Sequence, residues 1–177
     1  MKEQNKDGFT LYELADRAAF SAFTATLNID YKYKATLNRY DPIDEQLTAT
    51  TKNNNIITYD IELKSRNFYY LPTDLIIEVS KYKGLMAYSN NIEKMYFNFI
   101  PNYNKLFIYD MNDFSAEELK SIYDPKFLCN EKTANGEKKK VEKEVYHLPI
   151  DKAKSFDFNS CKYYNHIYDY LNNKQKK

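Results

Sequence analysis

Three charged side chains alternate along one short segment of the chain, in a pattern that could do chemistry. Asp60, Glu62 and Lys64 are separated by single uncharged residues over positions 57–64. Because side chains in a strand point alternately to opposite faces, a strand here would place all three charged groups on one face. Carboxylates bind hard divalent cations, and a lysine beside them can stabilise a negatively charged transition state. This segment is therefore the first candidate for a reactive site.

A second segment supplies another carboxylate opposite the first. Residues 46–50 also alternate, and the asparagines at 53–55 tolerate the left-handed backbone of a tight turn, so the two segments predict a β-hairpin. Matching their apolar residues pairs position 51 with 55, and the same register places Asp44 opposite Glu62. Directly opposed residues have Cβ atoms about 4.5–5.5 Å apart. Two carboxylates at that separation repel each other unless a cation lies between them.

Such a pair suits Mg²⁺, with Mn²⁺ as a substitute. Mg²⁺ takes oxygen ligands in octahedral geometry and usually binds one or two carboxylates together with waters and substrate phosphate. Lys64 lies two residues beyond Glu62 on the same face, about 7 Å along the strand. Its ammonium would hold an attacking water or neutralise charge that develops on a phosphate.

The elements around this hairpin predict a mixed α/β fold, with a mixed central sheet of antiparallel hairpins flanked by helices. Ser80 is a candidate cap for a second helix, Ser115 and Glu118 form a capping box, and Asp151 is a candidate cap for a late helix. In chain order the predicted elements are a helix at 10–28, a strand at 31–38, the hairpin, an apolar stretch at 75–79, a helix at 80–88, a hairpin at 95–100 and 106–111, a helix at 115–123, a strand at 145–150 and a helix at 158–171.

Two tripeptides bring a known family into view. Pro42-Ile43-Asp44, followed after the hairpin by Glu62-Leu63-Lys64, resembles the PD-(D/E)XK nuclease superfamily, in which the first motif is Pro-Asp without the intervening residue. The core of that superfamily is a helix, three strands, a helix and further strands. The resemblance covers roughly residues 10–110, and the segment 145–150 also looks like the ending of small phage and prophage members. It implies one restriction-endonuclease-like domain over 1–177.

The resemblance also implies an activity and a set of roles. The activity is metal-dependent hydrolysis of DNA phosphodiester bonds in a protein of phage or mobile-element type. The residues that match the family's functional positions are the metal ligands Asp44 and Glu62, the backbone carbonyl of Leu63 on the same ion, the catalytic lysine Lys64, the first-helix acid Glu13 that some members carry, and the second-helix base Lys81.

Other interpretations stay open at this stage. The chain fits a catalytically inactive member of the same fold that binds DNA or a partner protein. It also fits a small interaction protein in which Glu62 and Lys64 form an ion pair on a water-exposed sheet face. Glu13 has an alternative partner in Arg17, one helical turn later. Lys81 is alternatively a solvated residue near the start of its helix.

Composition limits the class of protein and partner. The 177 residues carry 25 acidic and 26 basic side chains, so any DNA-binding face must be local. Only three of the basic residues are arginines, which favours phosphate contacts over base reading.

The sequence also excludes several classes of protein. The two cysteines cannot form a disulfide framework and have no zinc-site spacing. No run approaches the roughly 20 apolar residues of a membrane span. We expect a cytoplasmic protein with a charged loop or hairpin tip at 131–144 and a basic disordered tail at 172–177.

Overall fold

The computed structural model describes residues 11–27, 29–36, 41–51, 53–130 and 140–163. Within these ranges the helices are α1 (Leu11–Thr24), α2 (Val79–Tyr88) and α3 (Ala116–Ser121). The strands are β1 (Asp30–Ala35), β2 (Glu45–Thr50), β3 (Ile56–Ser65), β4 (Asp74–Glu78), β5 (Glu93–Ile100), β6 (Lys105–Asp110), β7 (Tyr123–Asn130), β8 (Lys140–Pro149) and β9 (Lys154–Asp157).

The larger sheet is mixed and has the order β1-β2-β3-β5-β6-β9. Strands β1, β2 and β3 form an antiparallel meander, and β3 pairs in parallel with β5. The chain reaches β5 from β3 through β4 and α2, as a parallel pair requires a long crossover. A helix, a three-stranded meander, a crossover helix and a parallel strand make up the restriction-endonuclease-like core that the sequence predicted.

A smaller antiparallel sheet, with the order β4-β8-β7, covers one face of this core. Leu75 and Ile77 of β4 and Leu148 of β8 pack in one buried cluster with Tyr96 and Tyr109 of the larger sheet. On the opposite face, α1 packs a second apolar cluster against β3, β5 and β6. The sheet that carries the candidate residues is therefore covered on both sides.

Several local predictions are confirmed. The β2–β3 register pairs Ala49 with Ile57 and Leu47 with Tyr59, as the apolar pattern required. The turn between these strands contains Asn54 with a φ of 60°, the left-handed conformation expected of asparagine. The capping box at the start of α3 and the hairpin of β5 and β6 are also present.

Other local predictions need correction. Helix α2 begins at Val79, so Ser80 lies inside the helix, and the N-cap position belongs to Glu78. Asp151 lies within a short 3-10 turn that leads into β9, not into a helix, because the segment pairs with the edge of β6. Strand β8 begins at Lys140 within the charged run. Most of the predicted charged loop (131–139), most of the predicted last helix (164–171) and the predicted tail (172–177) lie outside the described residues. No helix in the described part is long and apolar enough to cross a membrane.

Candidate active site

The candidate site lies where strands β2 and β3 separate. Strand β2 begins at Glu45, opposite Ile61, whereas β3 continues to Ser65. Asp44 extends the pairing, since its backbone N–H donates to the Ile61 carbonyl at 2.8 Å and its carboxylate Oδ2 accepts from the Leu63 N–H at 2.8 Å. The predicted register is observed here, and it places Asp44 across from Glu62.

A network from α1 and the end of β1 holds the Asp44 segment. The Arg17 guanidinium lies 3.1 Å from Oε1 of Glu45 and 3.6 Å from Oδ1 of Asp44. It also donates to Thr36 Oγ1 at 3.2 Å, and the Thr36 N–H donates to the Asp44 carbonyl at 3.0 Å. The start of β2 is therefore fixed by a charged group and by backbone contacts, which restricts the orientation of Asp44.

The residues just before Asp44 pack against α2. Ile43 is buried in the apolar cluster that includes Leu75, Ile77 and Leu85. A Cβ atom on Gly84 would lie only 2.9 Å from Cβ of Pro42, so the helix reaches this distance because position 84 is glycine. Ile43, the additional residue between Pro42 and Asp44, thus holds this segment in the core. The close contact between Gly84 and Pro42 places α2 over the site.

Glu62 is enclosed and contacts a lysine from α2. It is 5% exposed, and its Oε1 and Oε2 lie 3.1 and 3.3 Å from Nζ of Lys81. The Lys81 side chain is 43% exposed, so the ammonium has access to solvent. Lys81 is thus partly solvated, as the alternative interpretation expected, and its ammonium is also paired with Glu62.

The electrostatics of this pair are asymmetric. Burial and the nearby charge of Asp44 raise the pKa of Glu62 to about 8, against the opposing effects of Lys81 and Lys64. Burial lowers the pKa of Lys81, but the carboxylates of Glu62 and Asp44 outweigh it, so the pKa of Lys81 is raised. The carboxylates of Glu62 and Asp44 therefore both interact with the Lys81 ammonium.

The face of β3 that carries Asp60, Glu62 and Lys64 is largely covered, although the interaction-protein alternative placed Glu62 and Lys64 in water. Asp60 and Glu62 are buried, and only Lys64 is exposed. The polar face of β3 is covered because α2 and β4 pack on that side through their own apolar residues. The interpretation of Glu62 and Lys64 as an ion pair on a wet sheet is therefore wrong, and Glu62 pairs with Lys81 instead.

Leu63 lies beside Asp44, whereas Glu13 lies at the start of the first helix. Glu13 is half-buried in the first turn of α1, one helical turn before Arg17. The Leu63 N–H points toward Asp44, and a strand residue directs its N–H and C=O to the same neighbouring side. The Leu63 carbonyl therefore faces the side of β3 on which Asp44 lies. The roles of Glu13, Leu63, Lys64 and Lys81 stay predictions.

The donor set fits Mg²⁺. Asp44 and Glu62 supply carboxylate oxygens and Leu63 supplies a carbonyl, which are hard ligands of the kind that Mg²⁺ prefers. In the described part of the chain, no third His, Cys, Asp or Glu side chain joins such a group, so water and substrate would complete the coordination. Burial first and then the nearby charge of Asp44 raise the pKa of Glu62, and a cation between the two carboxylates would offset both effects.

Sequence reasoning missed the structural part played by two arginines. It considered Arg17 only as a partner of Glu13, whereas the guanidinium contacts both Asp44 and Glu45. Arg66 donates to Tyr96 Oη at 3.0 Å, to Asn98 Oδ1 at 2.6 Å and to the carbonyl of Ile76 at 2.8 Å, so it ties β4 to the larger sheet. The rarity of arginine in a lysine-rich chain was the available signal, since arginine is preferred in buried polar networks.

Comparison with known proteins gives few matches. No protein-family profile and no curated protein sequence matches the chain. Among solved structures, the chain is similar to D212, a nuclease from a fusselovirus, with 13% sequence identity and a TM-score of 0.42. The similarity covers 88% of each of the two chains.

Proposed function

We propose that this protein is a metal-dependent nuclease of PD-(D/E)XK type that hydrolyses phosphodiester bonds in DNA. The observation that carries the proposal is the position of Asp44 beside Glu62 at the end of the β2–β3 pairing, where the Asp44 carboxylate also accepts from the Leu63 N–H. The raised pKa of Glu62 supports it, because burial beside a second carboxylate is a poor arrangement for a purely structural acid.

The proposed division of labour follows from position and exposure. Asp44, Glu62 and the Leu63 carbonyl would hold Mg²⁺, which when bound polarises a scissile phosphate and lowers the pKa of a water. Lys64 is exposed on the same strand, so its ammonium is available to orient the attacking water or to neutralise charge on the phosphate. The Lys81 ammonium would balance the charge of the Glu62 carboxylate until Mg²⁺ takes the place of the ammonium.

A cleavage assay tests this proposal. Purified protein is incubated with linear duplex, branched and single-stranded DNA in Mg²⁺, Mn²⁺ or EDTA. We expect cleavage only with a divalent cation, and its loss in Glu62→Gln and Asp44→Asn. Glu117→Gln, at an exposed carboxylate on α3, is the matched control that should retain activity. Equal cleavage by wild-type protein and Glu62→Gln would contradict the proposal, because it would indicate a contaminating nuclease.

A second candidate is an inactive member of the same fold that binds DNA or a partner protein. One observation favours it: Nζ of Lys81 already contacts both oxygens of Glu62, and Asp44 already accepts from Leu63 and lies near Arg17. A metal must displace at least the lysine. DNA binding by wild-type protein without cleavage in either Mg²⁺ or Mn²⁺ would select this alternative.

A further inference from the structure

The connection between β3 and β4 exposes two adjacent aromatic rings. Residues 67–73, here called the tyrosine loop, contain Tyr69 and Tyr70, which are 99% and 84% exposed. Leu71 beside them is also exposed. A pair of neighbouring rings with this little contact contributes almost nothing to the core, so the rings need another explanation.

Hydrogen bonds hold the backbone of the tyrosine loop, although the two rings are exposed. The side chain of Asn102 donates to the Phe68 carbonyl at 2.5 Å, and the Tyr103 hydroxyl donates to the Tyr69 carbonyl at 2.9 Å. Phe68 and Tyr103 themselves pack against the buried cluster. The loop is therefore held at both its entry and its first tyrosine, and it presents the rings from a supported position.

The tyrosine loop also follows directly from the strand that carries the candidate site. Tyr69 is five residues beyond Lys64, so the chain can separate their Cα atoms by at most about 18 Å. The loop leaves the carboxyl end of β3, beside its parallel partner β5, and in open α/β sheets this end of the strands is where ligands bind. A DNA strand whose phosphate lies at Lys64 would thus have bases within reach of the rings.

The chemistry of the rings favours bases over a protein partner. Two tyrosines offer at most about 300–500 Å² of contact surface, whereas a stable protein interface needs about 800 Å² from each partner. Planar rings are instead the usual platform for nucleic-acid bases, which stack on them regardless of sequence. Paired bases inside a duplex already stack on each other, so only unpaired bases can use such a platform.

We propose that Tyr69 and Tyr70 form a stacking platform for unpaired bases, so that the preferred substrate of the site is single-stranded DNA or an unpaired end. This inference rests on the proposed function for its placement of the phosphates. It assigns to the tyrosine loop a part in choosing the DNA structure, separate from the residues that would perform hydrolysis.

Binding measurements on two double variants test the platform. In Tyr69→Leu/Tyr70→Leu the rings are lost, and in Tyr69→Phe/Tyr70→Phe they are kept. Fluorescence anisotropy in EDTA follows the full chain with a labelled oligothymidine of about twelve residues, within the site size of single-strand binders, and with a blunt hairpin duplex of similar length. We expect the leucine variant to bind oligothymidine about tenfold or more weakly, and the phenylalanine variant to bind within about twofold of wild type.

Further readouts separate stacking from other effects. Both variants should bind the duplex as wild type does and keep its salt dependence, since stacking releases no counterions. Their melting temperatures should match wild type, because the rings are exposed. An unchanged affinity of the leucine variant for oligothymidine overturns the proposal, as does an equal loss on the duplex. A change in its sedimentation with unchanged DNA affinity would also overturn it, by assigning the rings to self-association.

The two proposals fail in different ways. If wild-type protein binds oligothymidine through these rings but cleaves no DNA, the platform stands and the hydrolysis proposal fails. If Glu62→Gln removes cleavage while Tyr69→Leu/Tyr70→Leu binds and cleaves single-stranded DNA like wild type, hydrolysis stands and the platform fails.

Discussion

Two carboxylates on β3 lie two residues apart, point to the same side of the sheet and each contact a lysine. Asp60 is fully buried, and Nζ of Lys94, which is almost as buried, lies 2.5 Å from its Oδ2. Gln46 donates to the other oxygen at 2.9 Å, and Lys94 also donates to the Ser89 carbonyl at 2.8 Å. Every oxygen of Asp60 therefore has a partner, and the lysine has two.

Glu62 has fewer partners and more competition. Among the residues that the structure describes, its two oxygens share a single ammonium, from Lys81, at 3.1 and 3.3 Å. Asp44 lies across the strand and raises its pKa, and Lys81 reaches the pair from a partly solvated position. The same residue types thus form a sealed ion pair at position 60 and an open, incompletely compensated one at position 62.

The contrast separates a structural ion pair from a candidate binding site. A buried pair contributes to folding only when hydrogen bonds satisfy both groups, and Asp60 with Lys94 meets that condition. A carboxylate with a second acid beside it and one exchangeable partner retains capacity for a cation. We infer that Asp60 maintains the sheet and that the carboxyl group of Glu62 is available to a cation, which would displace its proton or Lys81.

The largest expected effect is on stability at the sealed pair. Asp60→Asn should lower the free energy of unfolding by about 3–5 kcal/mol, because it leaves the Lys94 ammonium buried without its counter-charge. Chemical denaturation would measure this loss. The double variant Asp60→Leu/Lys94→Met should recover most of it, since apolar replacement of a whole buried pair is often neutral. A loss below about 1 kcal/mol in Asp60→Asn, the range of an exposed pair, would break the distinction between the two sites.

The next effect in size is on turnover and concerns Lys64, which lies on the same strand face but outside the buried part. If Lys64 acts only in the transition state, Lys64→Ala should reduce single-turnover cleavage by about 10²–10³ with little change in DNA affinity. Loss of an exposed phosphate contact would instead reduce the salt slope of binding by about one. If Lys64→Ala cleaved DNA at the wild-type rate and only the salt dependence of its DNA binding decreased, Lys64 would be a DNA contact and not a catalytic residue.

The sequence was sufficient for the geometry of the hairpin. Apolar residues match across β2 and β3 in the register that a three-residue asparagine turn gives, so the position of Asp44 opposite Glu62 followed from local pattern. The capping box of α3 is equally local, since Ser115 and Glu118 satisfy each other's backbone groups within one turn.

The sequence was insufficient wherever distant segments decide the outcome. Alternation showed that one face of β3 is polar but not that α2 and β4 would cover it, so the burial of Glu62 was missed. No strand was predicted for the segment that forms β7. Pro125 is unfavourable inside a strand, and it is tolerated here at an irregularity in the pairing with β8. Strand β9 is an exposed edge strand with no apolar alternation to reveal it.

A smaller effect concerns the pH dependence of stability at the open pair. Because the folded pKa of Glu62, about 8, lies above the unfolded value near 4.5, folded protein binds the extra proton between these values. Wild-type stability should therefore fall as pH rises from about 5 to 8 in EDTA. Glu62→Gln has no such proton and should become more stable than wild type by about 1–3 kcal/mol at pH 8, with near equality at pH 5.

Denaturation of both proteins across this pH range, in EDTA, measures the difference. Asp60→Asn serves as the opposite case, because it should be less stable than wild type at both pH values. If Glu62→Gln were also less stable at pH 8, the Glu62–Lys81 ion pair would be a net structural contributor, and the two pairs on β3 would be alike.

The smallest expected effect is stabilisation by Mg²⁺, and it addresses the open pair most directly. A ligand that binds only the folded state adds RT ln(1 + [L]/Kd), or about 1.4 kcal/mol at ten times Kd. For a chain of this size, that raises the melting temperature by about 3–6 °C. We expect this shift in wild type and Glu117→Gln at millimolar Mg²⁺, and its absence in Glu62→Gln, with NaCl at equal ionic strength as the control for screening. A shift of the same size in Glu62→Gln would mean that Mg²⁺ binds elsewhere, whereas no shift in wild type would mean that Lys81 keeps its place on Glu62 against the metal.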